Sequence, residues 1–362
     1  MIPKRYLEKD WIEHLDNEMR YAQKELIERT LYAFELLAEL TRLDQDFVFK
    51  GGTSLLLILP DMRRLSIDID IVGTLDEKEI LKLPEKTVFT DVEKEDRGDR
   101  PLPTKHFKFK YYSEIQGREM PILLDMLEIK SEYETVEEKE LSAENPGLFE
   151  LDEDVFVTVP DVENILADKL TAFAPETIGI HHYDRKNNPR SLEIVKQLYD
   201  VGELFDFTTN LRDIRSVYEK IRKREASYRD TTFSLKDCLE DTLDISRKIA
   251  LLNFEDVEHV EEVERIAKSM EGLGQYVARD KYTLGDATIS TGKAALLVSL
   301  ILTENEGSLE EYRYKEDSED NHAHFEMKEP FSSLEKLSVV NREAYYYWSQ
   351  AVRILQKENL LN

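Results

Sequence analysis

Apolar residues recur at three- and four-residue steps along positions 11–43, among them Ile27, Leu31, Phe34, Leu37 and Leu40, with Glu and Arg in the gaps. That spacing predicts helix. The pattern then changes. Phe47-Val48-Phe49-Lys50 is short, apolar and β-prone, and it runs into Gly51-Gly52. Thr53 is placed to cap a short helix over 54–59, closed by Pro60-Asp61. Over 65–72, Ile67, Ile69 and Ile71 alternate with Ser66, Asp68 and Asp70, the period of a strand with one apolar and one polar face. A polar, acidic stretch follows at 85–100. Two further strands are predicted at 105–112, where Lys alternates with aromatics, and at 121–129, an apolar run with Asp125 in its middle.

A third of these later strands is expected at 155–159, and Pro160-Asp161 then opens a region with only helical periodicity. Helices are predicted at 162–173, 191–205, 212–227, 234–252, 293–303 and 332–360, with an acidic loop at 304–319. No internal repeat or low-complexity tract interrupts the chain. At 362 residues it exceeds the usual size of one domain, so two domains, or one domain with a long helical extension, are expected.

Composition narrows the classes. Apolar residues make up 41% and charged residues 35%, which suits a packed core carried by long solvated helices. The formal charge of −27 argues against broad, charge-driven nucleic-acid binding and is read as a solubility feature. Cys238 is the single cysteine, which excludes an internal disulfide and a Cys-rich zinc site. The first residues lack a signal-type pattern, and apolar runs such as 294–303 are too short to cross a bilayer. A soluble, cytoplasmic protein without membrane contact is expected.

Three pieces of the pattern combine into chemistry. Gly51-Gly52, between a strand and a helix start, would let a phosphate approach backbone N–H groups at a positive helix end. Asp68 and Asp70, two apart on a strand, would share a face and reach one or two Mg²⁺ ions. Asp125, a lone carboxylate in an apolar strand, is costly unless paired or metal-bound and could complete a triad. Each piece has a plainer reading: a turn, a wet strand face and a buried ion pair. Their order favours a metal and triphosphate site.

The run from Phe47 to Leu55, followed by Arg64-Leu65-Ser66-Ile67-Asp68-Ile69-Asp70, resembles the AbiEii/MenT family of nucleotidyltransferase toxins, within the DNA polymerase β-like superfamily. The helical run Glu28–Tyr32 and the later Leu166-Ala167-Asp168-Lys169-Leu170 fit the same family, over about residues 20–206. The resemblance implies an α+β fold: a polymerase β-like nucleotidyltransferase domain with a mixed sheet over 1–160, then an α-helical domain over 161–362. Residues 161–206 would complete the active site, and 207–362 would be a helical extension.

The resemblance also implies roles. Asp68, Asp70 and Asp125 would hold metal, Mg²⁺ or alternatively Mn²⁺. Lys50, Gly51, Gly52, Thr53, Ser54, Arg64 and Ser66 would line the nucleoside triphosphate. Lys169 would contact its phosphates. Asp200 matches the last acidic residue of an Arg-Asp-x-x-Asp pattern, from which Lys196 and Gln197 depart. The implied reaction transfers a nucleoside monophosphate to the tRNA 3′ end, by a toxin paired with a protein antitoxin. Transfer to a protein or small-molecule hydroxyl, and a non-catalytic nucleotide-binding protein, remain alternatives. His181 and His182 are adjacent and read as loop residues. Arg212, Arg215, Lys220, Arg222, Lys223, Arg224 and Arg229 form a dense basic run, either an RNA grip or a solvated face paired with acidic neighbours.

Overall fold

A computed structural model of the chain describes residues 1–19, 22–95, 103–144, 147–254, 260–278, 281–316 and 325–360. The chain divides into two compact units, one of Met1–Asp161 with Gly274–Lys281, the other of Val162–Leu273 with Tyr282–Asn362.

In the first unit the long helical pattern resolves into α1 (Lys9–Glu18) and α2 (Lys24–Thr41). β1 (Phe47–Lys50) passes directly into α3 (Gly51–Ile58). Then come β2 (Ile69–Gly73), α4 (Glu77–Lys82), β3 (Asp91–Glu95), β4 (Thr104–Ser113) and β5 (Arg118–Leu127). The unit ends with β6 (Val136–Glu140), α5 (Leu141–Glu144) and β7 (Phe156–Pro160). The main sheet is mixed, in the order β1-β2-β5-β4-β3, with β2 and β5 parallel and the other pairs antiparallel.

Alternation decides which face of that sheet is covered. Phe49, Ile69, Ile71, Phe107, Phe109, Tyr111, Ile122, Leu124 and Met126 are almost fully buried in one core with Ile27, Leu31, Phe34 and Leu37 of α2. Tyr32 stacks on Tyr111 with ring centroids 3.7 Å apart. Residues of the opposite parity, including Asp70, His106 and Asp125, are only half-buried. The buried face is where apolar area leaves water, so register is fixed there and the polar row is placed as a consequence.

Three expectations change. The strand predicted over 65–72 forms a ladder only from Ile69, so Asp68 precedes it. Its first residues turn to the returning segment instead: Arg64 bridges Val277, and the Leu65 N–H donates to the Tyr276 carbonyl at 2.8 Å. The helix predicted from Ser54 begins at Gly51, so Thr53 lies inside it and does not cap it. Strands β3 and β6 form in acidic stretches where the pattern predicts no strand; positions 96–100 of the first stretch and 317–319 of the loop expected at 304–319 lie outside the described residues.

The second unit is helical: α6 (Val162–Ala172), α7 (Ser191–Phe205), α8 (Leu211–Tyr228), α9 (Leu235–Leu251), α10 (Glu261–Leu273), α11 (Leu284–Leu302), α12 (Leu337–Val340) and α13 (Arg342–Lys357). Reciprocal capping boxes, Ser234 with Asp237 and Thr283 with Asp286, start α9 and α11. α11 packs against α7, α9 and α13. It is long and apolar enough to span a bilayer by length and composition, unlike the shorter run read from the sequence, yet its most apolar window is 78% buried in protein. Lys293 in its middle is ion-paired to Asp206 at 2.7 Å, which fits a core helix.

Candidate active site

The register of the main sheet lines up a row of polar residues. Lys50 pairs with Asp70, Asp70 with Asp125, Asp125 with His106, and His106 with Glu95. Side chains of registered partners share a face, so the row crosses all five strands on the side away from the α2 core. Asp70 and Asp125 are neighbours on parallel strands. Asp68, two residues before Asp70, is held by its backbone: the Thr53 hydroxyl donates to its carbonyl oxygen at 2.6 Å.

Gly51 sits against this row. Its φ is +81°, and a Cβ there would lie 2.1 Å from Asp70 Oδ2, so only glycine allows the carboxylate this close to the start of α3. Gly52 is also closely approached, by the ends of two side chains. A Cβ on it would lie 2.8 Å from Ser66 Oγ and 2.9 Å from the Arg64 guanidinium. Arg64 is buried, and one of its nitrogens donates to the Leu65 carbonyl at 3.2 Å. A guanidinium beside a helix N-terminus adds positive potential to a place that already has it.

The other predicted residues are buried. Thr53 and Ser54 are fully buried; the Ser54 hydroxyl donates to the Gly51 carbonyl at 3.0 Å within the first turn of α3, and the Thr53 hydroxyl ties that turn to Asp68. Lys169 on α6 and Asp200 on α7 belong to the second unit, where Lys169 Nζ lies 2.8 Å from Asp200 Oδ2 with both side chains buried. That contact explains Asp200 structurally: a carboxylate with no exposure needs an internal cation.

His106 was missed by sequence reasoning. Its Nδ1 lies 2.8 Å from Asp125 Oδ1. The polar parity of the lysine–aromatic alternation was the only available signal, since cross-strand pairing cannot be read from one strand. His181 and His182 lie between α6 and α7. The His181 ring donates to the Pro175 carbonyl at 2.7 Å, and His182 is 3.3 Å from Glu176, with burial lowering its pKa. The basic run lies on and just after α8 and is paired in part: Arg215 pairs with Glu304, Arg222 with Glu219, and Arg224 and Arg229 with Glu225.

Among the described residues no three His, Cys, Asp or Glu groups already converge as a closed metal cluster. Mg²⁺ does not require one, because it is commonly held by one or two carboxylates together with substrate phosphates. Asp70 and Asp125, hard oxygen donors on adjacent strands beside the Gly51-Gly52 cradle, fit that mode.

The chain is similar in structure to JHP933 from Helicobacter pylori, with a TM-score of 0.43, 16% identity, and 78% of this chain and 94% of that chain covered. It is also similar to an antigenic nucleotidyltransferase-like protein from Paracoccidioides brasiliensis, with a TM-score of 0.34, 15% identity, and coverage of 57% and 94%. No protein of curated function matches it. Residues 35–277 match the family model described as nucleotidyl transferase AbiEii toxin of a type IV toxin–antitoxin system. That match spans more than half the sequence and includes the glycine cradle, all three carboxylates and Lys169: the chain belongs to the AbiEii nucleotidyltransferase family.

Proposed function

We propose that the first unit catalyses Mg²⁺-dependent transfer of a nucleoside monophosphate from a nucleoside triphosphate to the 3′-terminal hydroxyl of tRNA, as the toxin of a cytoplasmic toxin–antitoxin pair. An acceptor oxygen would bond to the α-phosphorus, the bond to the β-phosphate oxygen would break, and pyrophosphate and a proton would leave. The observation that carries this reading is the registered Asp70–Asp125 pair abutting Gly51.

Each group has a task in that reaction. The Gly51-Gly52 backbone and the Arg64 guanidinium receive the triphosphate, and Ser66 lies beside them. Asp70 and Asp125, with Asp68 next to them, would hold the divalent cation. When bound, that cation supplies charge neutralisation at the phosphates. Thr53 keeps Asp68 in place through its carbonyl, and Lys50 sits opposite Asp70 in the row. Most of the rate in such reactions comes from positioning and electrostatics, which a fixed strand register provides.

One observation favours a different acceptor. The densest basic run is paired in part to carboxylates, and the net charge is −27, so little of the surface would attract a polyanionic RNA. A protein or small-molecule hydroxyl is the second reading. Full-length protein incubated with each α-³²P nucleoside triphosphate, Mg²⁺ and bulk tRNA separates the two, with Asp70→Asn as control. Label on tRNA supports the first reading, and label on added protein or small-molecule hydroxyls the second. No wild-type transfer to any acceptor would remove both.

A further inference from the structure

We propose that His106 is a positioning residue for Asp125, fixing the carboxylate through its Nδ1–H so that the site holds its divalent cation. The inference rests on the nucleotidyl-transfer reading for its purpose, but its central measurement does not depend on turnover. Asp125 sits on β5 between two registered partners, Asp70 on one side and His106 on the other. The 2.8 Å contact of Nδ1 with Asp125 Oδ1 has only one sense if the carboxylate is ionised: a carboxylate has no proton to give, so the ring nitrogen donates. A ring carrying hydrogen on Nδ1 makes this bond.

A carboxylate on a strand rotates about two torsions and presents its oxygens in many directions. A hydrogen bond to one oxygen from a ring anchored on the neighbouring strand removes most of that freedom. The carboxylate is then held in a set orientation, which is how groups behind a metal ligand raise its affinity. The environment supports a fixed ring. The His106 side chain is 20% exposed and that of Asp125 32%, and Phe107 next to His106 is buried in the core, which locks the strand. On the same strand Lys105 is 2.8 Å from Glu128, and Lys108 is 4.0 Å from Glu95.

The probe is Mn²⁺ alone, titrated into the full-length protein and followed by electron paramagnetic resonance. Three variants accompany the wild type: His106→Phe keeps a ring without the donor, His106→Asn keeps an N–H near the Nδ1 position, and Asp125→Asn marks loss of the ligand. Expected is an Mn²⁺ affinity about 10- to 100-fold weaker in His106→Phe, with His106→Asn within a few-fold of wild type and unfolding midpoints matched. With whichever nucleoside triphosphate proves active, His106→Phe should lower kcat while KM for the nucleotide changes little. Equal Mn²⁺ affinity in His106→Phe and wild type overturns the proposal, as does equal loss in the Phe and Asn variants or a wild type that binds no Mn²⁺. A wild type that binds Mn²⁺ yet transfers nothing would sink the nucleotidyl reading alone, and the affinity series would still decide His106.

Discussion

Asp70 and Asp125 are register partners on the parallel strands β2 and β5, so two carboxylates stand side by side on the open face of the sheet. Neighbouring strands lie about 4.8 Å apart, close enough for both to serve one cation. A cation that binds only the folded state stabilises it, by about 2.7 kcal/mol at a hundred times its Kd. Urea denaturation of the wild type should therefore shift upward with Mn²⁺, and Asp70→Asn should shift little at the same concentration. Transfer by that variant should fall by about 100-fold or more. Equal metal-induced shifts in both proteins would remove Asp70 from the metal site.

Gly51 offers a sharper geometric test. Alanine there faces two obstacles at once, a φ of +81° and an Asp70 oxygen 2.1 Å from the new Cβ. Strain of that kind costs about 1–3 kcal/mol. At Gly52 the obstructing atoms are the ends of Ser66 and Arg64, which can give way. Gly51→Ala should lose both stability and transfer, whereas Gly52→Ala should fold nearly as well and chiefly raise KM for the nucleotide. Thermal unfolding and initial rates on the two purified variants decide it, and a Gly51→Ala protein with wild-type stability would refute the close approach.

Gly51, Gly52, Arg64, Asp68 and Asp70 were legible as candidates because they lie within one local stretch. The alternation of Ile67, Ile69 and Ile71 with Ser66, Asp68 and Asp70 correctly separated buried from open faces at β2. The apolar run around Asp125 marked β5. What was illegible depends on distant partners. The ladder stops short of Asp68 because residues 64–65 pair with 276–277, more than 200 positions away in the chain. His106 needed the β4 register against β5 to acquire meaning. Strands β3 and β6, with sequences DVEKE and VEEKE, carry almost no apolar signal because β3 is an edge strand and β6 belongs to a two-stranded sheet. The start of α3 was misplaced because Gly51 reads as a turn until its neighbours are known.

Lys169 invites a phosphate-binding role from its motif, but its visible partner is Asp200 in the same unit. Removing one member of a buried pair leaves an uncompensated charge and costs about 3–5 kcal/mol. Lys169→Met should therefore be strongly destabilised in chemical denaturation, and Lys169→Met with Asp200→Leu should recover much of the loss. A Lys169→Met protein of wild-type stability but without transfer would show that the lysine serves the substrate and not the fold.

Asp241 on α9 gives a pH prediction for the second unit. Its Oδ2 accepts the Glu176 and Thr177 N–H groups at 2.9 Å and the Thr177 hydroxyl at 2.7 Å. Burial still outweighs these bonds and pushes its pKa from 3.8 up to about 6. A folded-state pKa above the unfolded one means that the folded protein holds the extra proton between those values. The stability linked to it is present below about pH 4 and is lost as pH rises through 6. A shift of about two units corresponds to roughly 3 kcal/mol. Asp241→Asn keeps an oxygen that can accept the same three bonds and does not titrate. Measured by urea unfolding, the variant should gain on the wild type by about 1–3 kcal/mol between pH 4.5 and pH 7. Parallel stability curves across that window would mean that the carboxylate ionises in the folded protein as readily as in the unfolded chain, and that its three hydrogen bonds compensate fully for burial.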